Sequence, residues 1–228
     1  MKFSLTLRVV HATALKAERR FLQAEVRVTD GTNASPKIVG HAAKFNVLSQ
    51  DLGGFREKIA VGAFDECLAS SPDIVGLFNH SMDFVLGRTS SSTMAVSVDS
   101  EGLLYQIAPP DTQVARDLMT SMKRGDIRGS SFGFYCLEDT WDLDPATDGL
   151  IRTIVKASVF DCSVVTDPAY LQADASVRSQ LPEGDTALKA LAAEKRAALT
   201  QSASEPSSSD LQADLDRWRL QLLLEEQS

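Results

Sequence analysis

The run Ile74-Val75-Gly76-Leu77-Phe78-Asn79-His80 decides the fold class. Its five compact leading residues suit a buried strand, and they stop directly on a polar pair. Short strands follow over 84–88, 93–98 and 103–107, separated by Ser- and Gly-containing turns. Several short strands at this spacing predict an antiparallel barrel or sandwich. Toward the N-terminus, Leu22, Ala24, Val26 and Val28 alternate with polar residues, the period-two pattern of a half-buried strand. A second strand is expected over 38–45, with Gly31-Thr32-Asn33 and Pro36 supplying the turn between them. The first twenty residues read as a helical or loosely attached leader.

One short helix is expected over 61–68. A longer one is capped by Asp111 or Thr112, carries Val114, Leu118, Met119 and Met122 on its apolar face, and ends at Gly125. Strands return over 127–137, 151–157 and 159–165, with an acidic loop over 138–148. After about Pro182 the composition shifts to a helix former over 188–199, a Ser-rich linker over 202–209 and a second helix over 211–226. In that last helix Leu211, Leu215, Trp218 and Leu222 form a heptad-like stripe. The expected organisation is a leader (1–20), a mainly β domain with flanking helices (21–181; β or α+β) and a helical, low-complexity tail (182–228).

Composition narrows the function. A net charge of −8 argues against phosphate-backbone binding, so no nucleic acid is expected as partner. No apolar run approaches 18–20 residues, so no membrane span is expected, and the N-terminus is too polar for a signal peptide. Three cysteines, Cys67, Cys136 and Cys162, lack CxxC spacing, and the histidines lack HExxH spacing. Neither a metal nor another cofactor is expected, and a reducing, intracellular compartment fits the cysteine usage.

Three places could carry chemistry. Of His11, His41 and His80, only His80 stands at the end of an apolar strand, where a rigid scaffold can hold it beside a cleft. Any single histidine reads more simply as a surface or core filler. In Gly129-Ser130-Ser131-Phe132-Gly133-Phe134, small residues leave room beside Ser131, as a nucleophile needs. Taken alone, the string reads more simply as a strand edge with a glycine bulge. Asp161 lies in an apolar run, where a carboxylate is costly unless paired. It either orients a histidine or faces solvent on an edge strand.

An ordered set of strings resembles the HK97-like prohead protease family: Gly62-Ala63-Phe64, Asn79-His80, Val85-Leu86-Gly87-Arg88-Thr89, Gly102-Leu103, Gly125-Asp126-Ile127-Arg128-Gly129, Ser131-Phe132-Gly133-Phe134 and Val164-Val165-Thr166-Asp167-Pro168-Ala169. The resemblance covers residues 22–170. It implies a small, mainly antiparallel β-barrel like that of herpesvirus assemblin proteases, with His80 as base, Ser131 as nucleophile and Asp161 as third member. The family often has glutamate at the last position. Implied with these are capsid maturation by a serine endopeptidase, the major capsid protein and scaffold segments as substrates, and self-cleavage; self-association through the C-terminal helix is expected instead from the stripe of Leu211, Leu215, Trp218 and Leu222, which a lone helix cannot bury against itself. The place of action would be the host cytoplasm, inside the assembling prohead, with an integrated prophage as a source. Gly129 or Gly133 would lie near the oxyanion. The rival readings are a non-catalytic scaffolding protein, for which the acidic charge and heptad stripe speak, and a cysteine hydrolase using Cys136 or Cys162 with His80.

Overall fold

The computed structural model describes residues 7–10, 17–22, 26–29, 35–147, 149–166 and 184–204. Two long strands organise it. β10 (Gly129–Leu143) and β11 (Leu150–Val165) pair antiparallel from Gly129 opposite Val165 to Leu143 opposite Leu150. To the far side of β11 are added β5 (Phe55–Ile59) and β6 (Val75–Phe78), both parallel to it. β6 turns tightly into β7 (Ser81–Arg88). The outer edge of β10 carries β1 (Leu7–Val10) and β2 (Ala17–Leu22), both antiparallel. The smaller sheet runs β3 (Arg27–Thr29), β4 (Lys37–Lys44), β9 (Gly102–Ile107), β8 (Met94–Val98).

Strand alternation makes the two sheets share a core. Phe132 and Phe134 of β10 and Cys162 and Val164 of β11 are buried with Ile38, Leu103, Tyr105 and Ile107 of the small sheet. The stacked Phe132 and Phe134 rings lie 4.9 Å apart. α1 (Asp65–Ala69) and α2 (Gln113–Arg124) flank this core. Thr112 caps α2 by accepting from the Ala115 N–H, and Gly125, at φ 83°, closes it in the left-handed conformation that favours glycine.

The mainly β fold with flanking helices is therefore the one the sequence indicates, but several local expectations give way. The first twenty residues hold strands where a helical or loose leader was expected, because the outer edge of β10 offers them a ladder of unpaired backbone groups. Leu22 and Val28, expected on a single strand, fall in two elements of different sheets, β2 on β10 and β3 on β4. The acidic segment after Leu137 is not a loop up to Asp148: β10 continues through Leu143, with Glu138 and Asp139 buried. The charged sequence of β5 conceals a strand. In the C-terminal part, α3 (Gly184–Ser204) buries Ala192 and Leu199 against Phe55, Trp141 and Leu150. The heptad stripe of 211–222 lies outside the described residues.

One charge cluster explains two of these departures. Arg152 is 1% exposed and donates to Asp139 Oδ2 at 2.6 Å, to Glu18 Oε2 at 2.7 Å and to Glu57 Oε2 at 3.0 Å. Arg20 joins from β2, donating to Glu57 Oε1 at 2.7 Å and to Glu18 Oε2 at 2.6 Å. Burial pushes the Glu18 carboxyl up, but the Arg152 and Arg20 guanidinium groups outweigh it and hold it below the usual carboxylate range. Acidic residues of β2, β5 and β10 are thus drawn inward by one arginine of β11. Arg152→Met should destabilise the fold by about 3–5 kcal/mol, since three carboxylates lose their shared cation. A lowered urea midpoint checks this; an unchanged midpoint would show the cluster to be dispensable.

Candidate active site

Asn79 and His80 are the two central residues of the β6–β7 hairpin, between the paired Phe78 and Ser81. Both adopt positive φ, 52° and 55°. A two-residue hairpin that follows the strand twist requires such a pair. Asn tolerates the conformation, whereas for His it is sparsely populated and costs about 1–3 kcal/mol. The neighbourhood offsets this: Asn79 Oδ1 accepts from the Thr166 N–H at 3.0 Å, and the Asn79 N–H donates to Val164 O at 2.9 Å. The turn tip is thereby tied to the end of β11, and His80 projects back over the sheet.

Two-residue periodicity supplies the rest. Ser131 and Gly133 of β10 stand opposite Ser163 and Asp161 of β11. His80 Nε2 lies 2.6 Å from Ser131 Oγ, and His80 Nδ1 lies 2.7 Å from Asp161 Oδ1. Ser163 Oγ donates to the same carboxylate oxygen at 2.9 Å and lies 3.0 Å from Nδ1. Asp161 is 3% exposed, and its Oδ2 has no hydrogen-bond partner; Arg19 Nε stands 3.9 Å from it. Nδ1–H donates to Asp161 in this arrangement, which leaves Nε2 free to accept a proton from the serine. The Phe21 ring meets the imidazole edge-on at 5.8 Å. Gly133 makes room: a Cβ there would stand 2.3 Å from Asp161 Oδ2 and 2.5 Å from the Phe160 ring.

The three residues singled out by sequence, His80, Ser131 and Asp161, thus come together from three separate strands and turns. Asp161 is not solvent-facing, and its strand is not an edge. Ser130 points to the other face, where its hydroxyl donates to Tyr105 Oη at 3.1 Å. His41 lies on the small sheet, 2.8 Å from Asp99 Oδ2, and His11 falls outside the described residues. Sequence reasoning gave Ser163 no role, although its place two residues after Asp161 on a strand puts both side chains on one face. It also missed Arg20, whose carbonyl oxygen accepts from Ser131 Oγ at 2.9 Å.

Cys136 and Cys162 are poor nucleophiles here. Both are buried, and burial pushes each thiol far above its ordinary range. Cys136 lies beside Asp139, with Sγ 3.8 Å from Oδ2, and Cys162 is packed in the core. Among the described residues, no group of three His, Cys, Asp or Glu could hold a metal ion.

Comparison with known proteins shows similarity to a family and to a solved structure. The family model described as caudovirus prohead serine protease matches residues 22–186. A solved structure, the bacteriophage T4 capsid assembly protease gp21, is similar over 66% of this chain and 99% of that chain, with a TM-score of 0.42 and 10% sequence identity. No curated protein sequence matches.

Iodoacetamide at mildly alkaline pH should leave Cys136 and Cys162 unmodified in the folded protein and alkylate both after denaturation. Peptide mass spectrometry reads this directly. Rapid native alkylation of either would restore a cysteine nucleophile to consideration.

Proposed function

The chain belongs to the caudovirus prohead serine protease family, and from that premise we propose that Ser131, His80 and Asp161 form its catalytic triad. The protein is a serine endopeptidase of capsid maturation, acting within the assembling capsid on capsid protein. The observation that most supports the triad is the unbroken chain from Asp161 Oδ1 through both imidazole nitrogens to Ser131 Oγ, at 2.7 Å and 2.6 Å. A scaffolding role without catalysis would leave that buried, strained arrangement without a purpose.

Ser131 Oγ attacks the scissile carbonyl carbon, and its proton passes to His80 Nε2. Asp161 keeps the imidazole in the tautomer that can accept it and stabilises the imidazolium that forms. The carbon–nitrogen bond then breaks, and the amine leaves with the proton from Nε2. Water, deprotonated by the same imidazole, releases the acyl group from Ser131. Ser163 is a positioning residue, fixing the carboxylate rather than touching substrate. The oxyanion needs backbone N–H donors; Gly129 and Gly133 are the sequence's suggestion, and Gly133 is required independently by its fit against Asp161.

We further propose scaffold segments and the chain itself as substrates, within an infected or lysogenic host's cytoplasm. The protease unit is read as 21–181, with 182–228 as an appended segment. In that segment α3 packs on the second apolar cluster, and the stripe Leu211, Leu215, Trp218 and Leu222 is proposed to self-associate.

Ser131→Ala and His80→Ala should abolish cleavage of capsid protein with the fold retained, and Asp161→Asn should lower kcat by up to about 10⁴-fold. Ser130→Ala should keep most activity and cost about 1 kcal/mol for the lost Tyr105 bond. An active Ser131→Ala enzyme, or an Asp161→Asn enzyme with unaltered kcat, would refute these assignments. Deleting residues 205–228, beyond α3, should preserve peptide cleavage while removing self-association, as read by analytical ultracentrifugation. A truncated protein that still self-associates would dismiss the stripe.

A further inference from the structure

Ser131 is completely buried, which is unusual for a group that must reach a peptide bond. What covers it is the N-terminal arm. β1 and β2 run antiparallel along the outer edge of β10, from Leu7 opposite Trp141 to Leu22 opposite Ser130. The family match begins only at residue 22, so this arm precedes the shared protease fold. β2 lies directly on the site: Phe21 pairs with Ser131, its ring meets His80, and the Arg20 carbonyl oxygen accepts from Ser131 Oγ.

A serine hydroxyl has one proton. Here two acceptors compete for it, His80 Nε2 at 2.6 Å and Arg20 O at 2.9 Å. Attack requires the proton on the path to Nε2, so the Arg20 carbonyl opposes catalysis while occupying the region where a substrate carbonyl must arrive. An extended peptide added to a sheet edge gains main-chain hydrogen bonds from the strand it joins. The edge of β10 at Ser130–Tyr135 is the one that brings such a peptide to Ser131, and β2 holds it.

Resting on the protease reading above, we propose that this edge of β10 is the substrate-binding site, that β2 is a resident substrate-like strand within it, and that the substrate is an extended peptide with a basic residue in the place of Arg20. The basic residue follows from the contact that Arg20 makes with Glu57. When β2 departs, Glu18 and Arg20 leave together, and Glu57 keeps Arg152 at its Oε2, 3.0 Å away. The buried Glu57 carboxylate has then lost the Arg20 donor that stood 2.7 Å from its Oε1. A substrate Arg or Lys restores that contact, beside the face of Phe134 over which the Arg20 guanidinium now lies at 5.5 Å.

Ala17 and Tyr135 are paired across β2 and β10 at the end away from Ser131, and the native cysteines Cys67, Cys136 and Cys162 are buried. The full-length chain carrying Ala17→Cys and Tyr135→Cys can therefore be locked by oxidation and freed by dithiothreitol. The probe is a fluorogenic peptide of residues 17–25, with its Arg20→Leu counterpart. The oxidised protein should lose at least tenfold in kcat/KM and recover on reduction; equal rates in both states would overturn the proposal. The reduced protein should cleave the arginine peptide at least tenfold faster than the leucine one, and equal rates would overturn the basic position. If both states are silent, Glu18→Gln, which loosens β2 without touching the triad, should bring cleavage out; continued silence overturns the resident strand. A fluorophosphonate that labels Ser131 in neither the reduced protein nor the Glu18→Gln protein would mark failure of the protease reading instead.

Discussion

The register between β10 and β11 is the constraint on which the site depends. Because side chains alternate along a strand, a slip of one residue would send Ser131 into the apolar core and bring Ser130 to His80. The register is held by features that cannot tolerate such a slip. On the core face, Phe132, Phe134, Cys162 and Val164 interlock with the small sheet. On the site face, Gly133 stands opposite Asp161 because any larger residue would occupy the space of the carboxylate. A shift in pairing between Gly133 and Phe134 lets both faces be satisfied at once. Packing on one side of the sheet thereby sets distances on the other.

His80 is held in a different way. Its position comes from a strained two-residue turn rather than from a strand, and the strain is carried by contacts with β11. Asn79 binds the backbone at Val164 and Thr166, so the residues that follow Asp161 and Ser163 also hold the turn that bears His80. Asp161, Ser163 and His80 are therefore all referenced to one strand. This suits a reaction in which an error of about 1 Å costs roughly a hundredfold in rate.

Much of this was legible in sequence where local pattern and final environment agree. The run ending on Asn79-His80, the capped helix closing at Gly125 and the apolar stretches of β10 and β11 each carry their own signal. The strings around His80, Ser131 and Asp161 then identified three residues that lie far apart in the chain. What escaped was set by distant partners. The sequence Phe-Arg-Glu-Lys-Ile of β5 and the acidic continuation of β10 look solvent-exposed until Arg152 is seen between them. β1 and β2 lack a decisive pattern because their stability comes from a free sheet edge and from the ion cluster. No period in their own residues reports either.

That edge joins the stability of the protein to its reactivity. An uncovered edge strand is a template for any extended chain, including other copies of itself. Covering it with a segment of the same protein removes that hazard, but the cover cannot be a purely apolar strand without becoming permanent. β2 is held instead by ionic contacts, through Glu18 and Arg20, to a cluster that persists in part when β2 leaves. Buried ion pairs contribute less net stability than apolar packing of equal volume, yet they are stringent about geometry and charge. Such an attachment can be both specific and exchangeable, and the segment that replaces it must satisfy the same carboxylate. Protection of the edge and selection of the substrate then follow from one arrangement of charges.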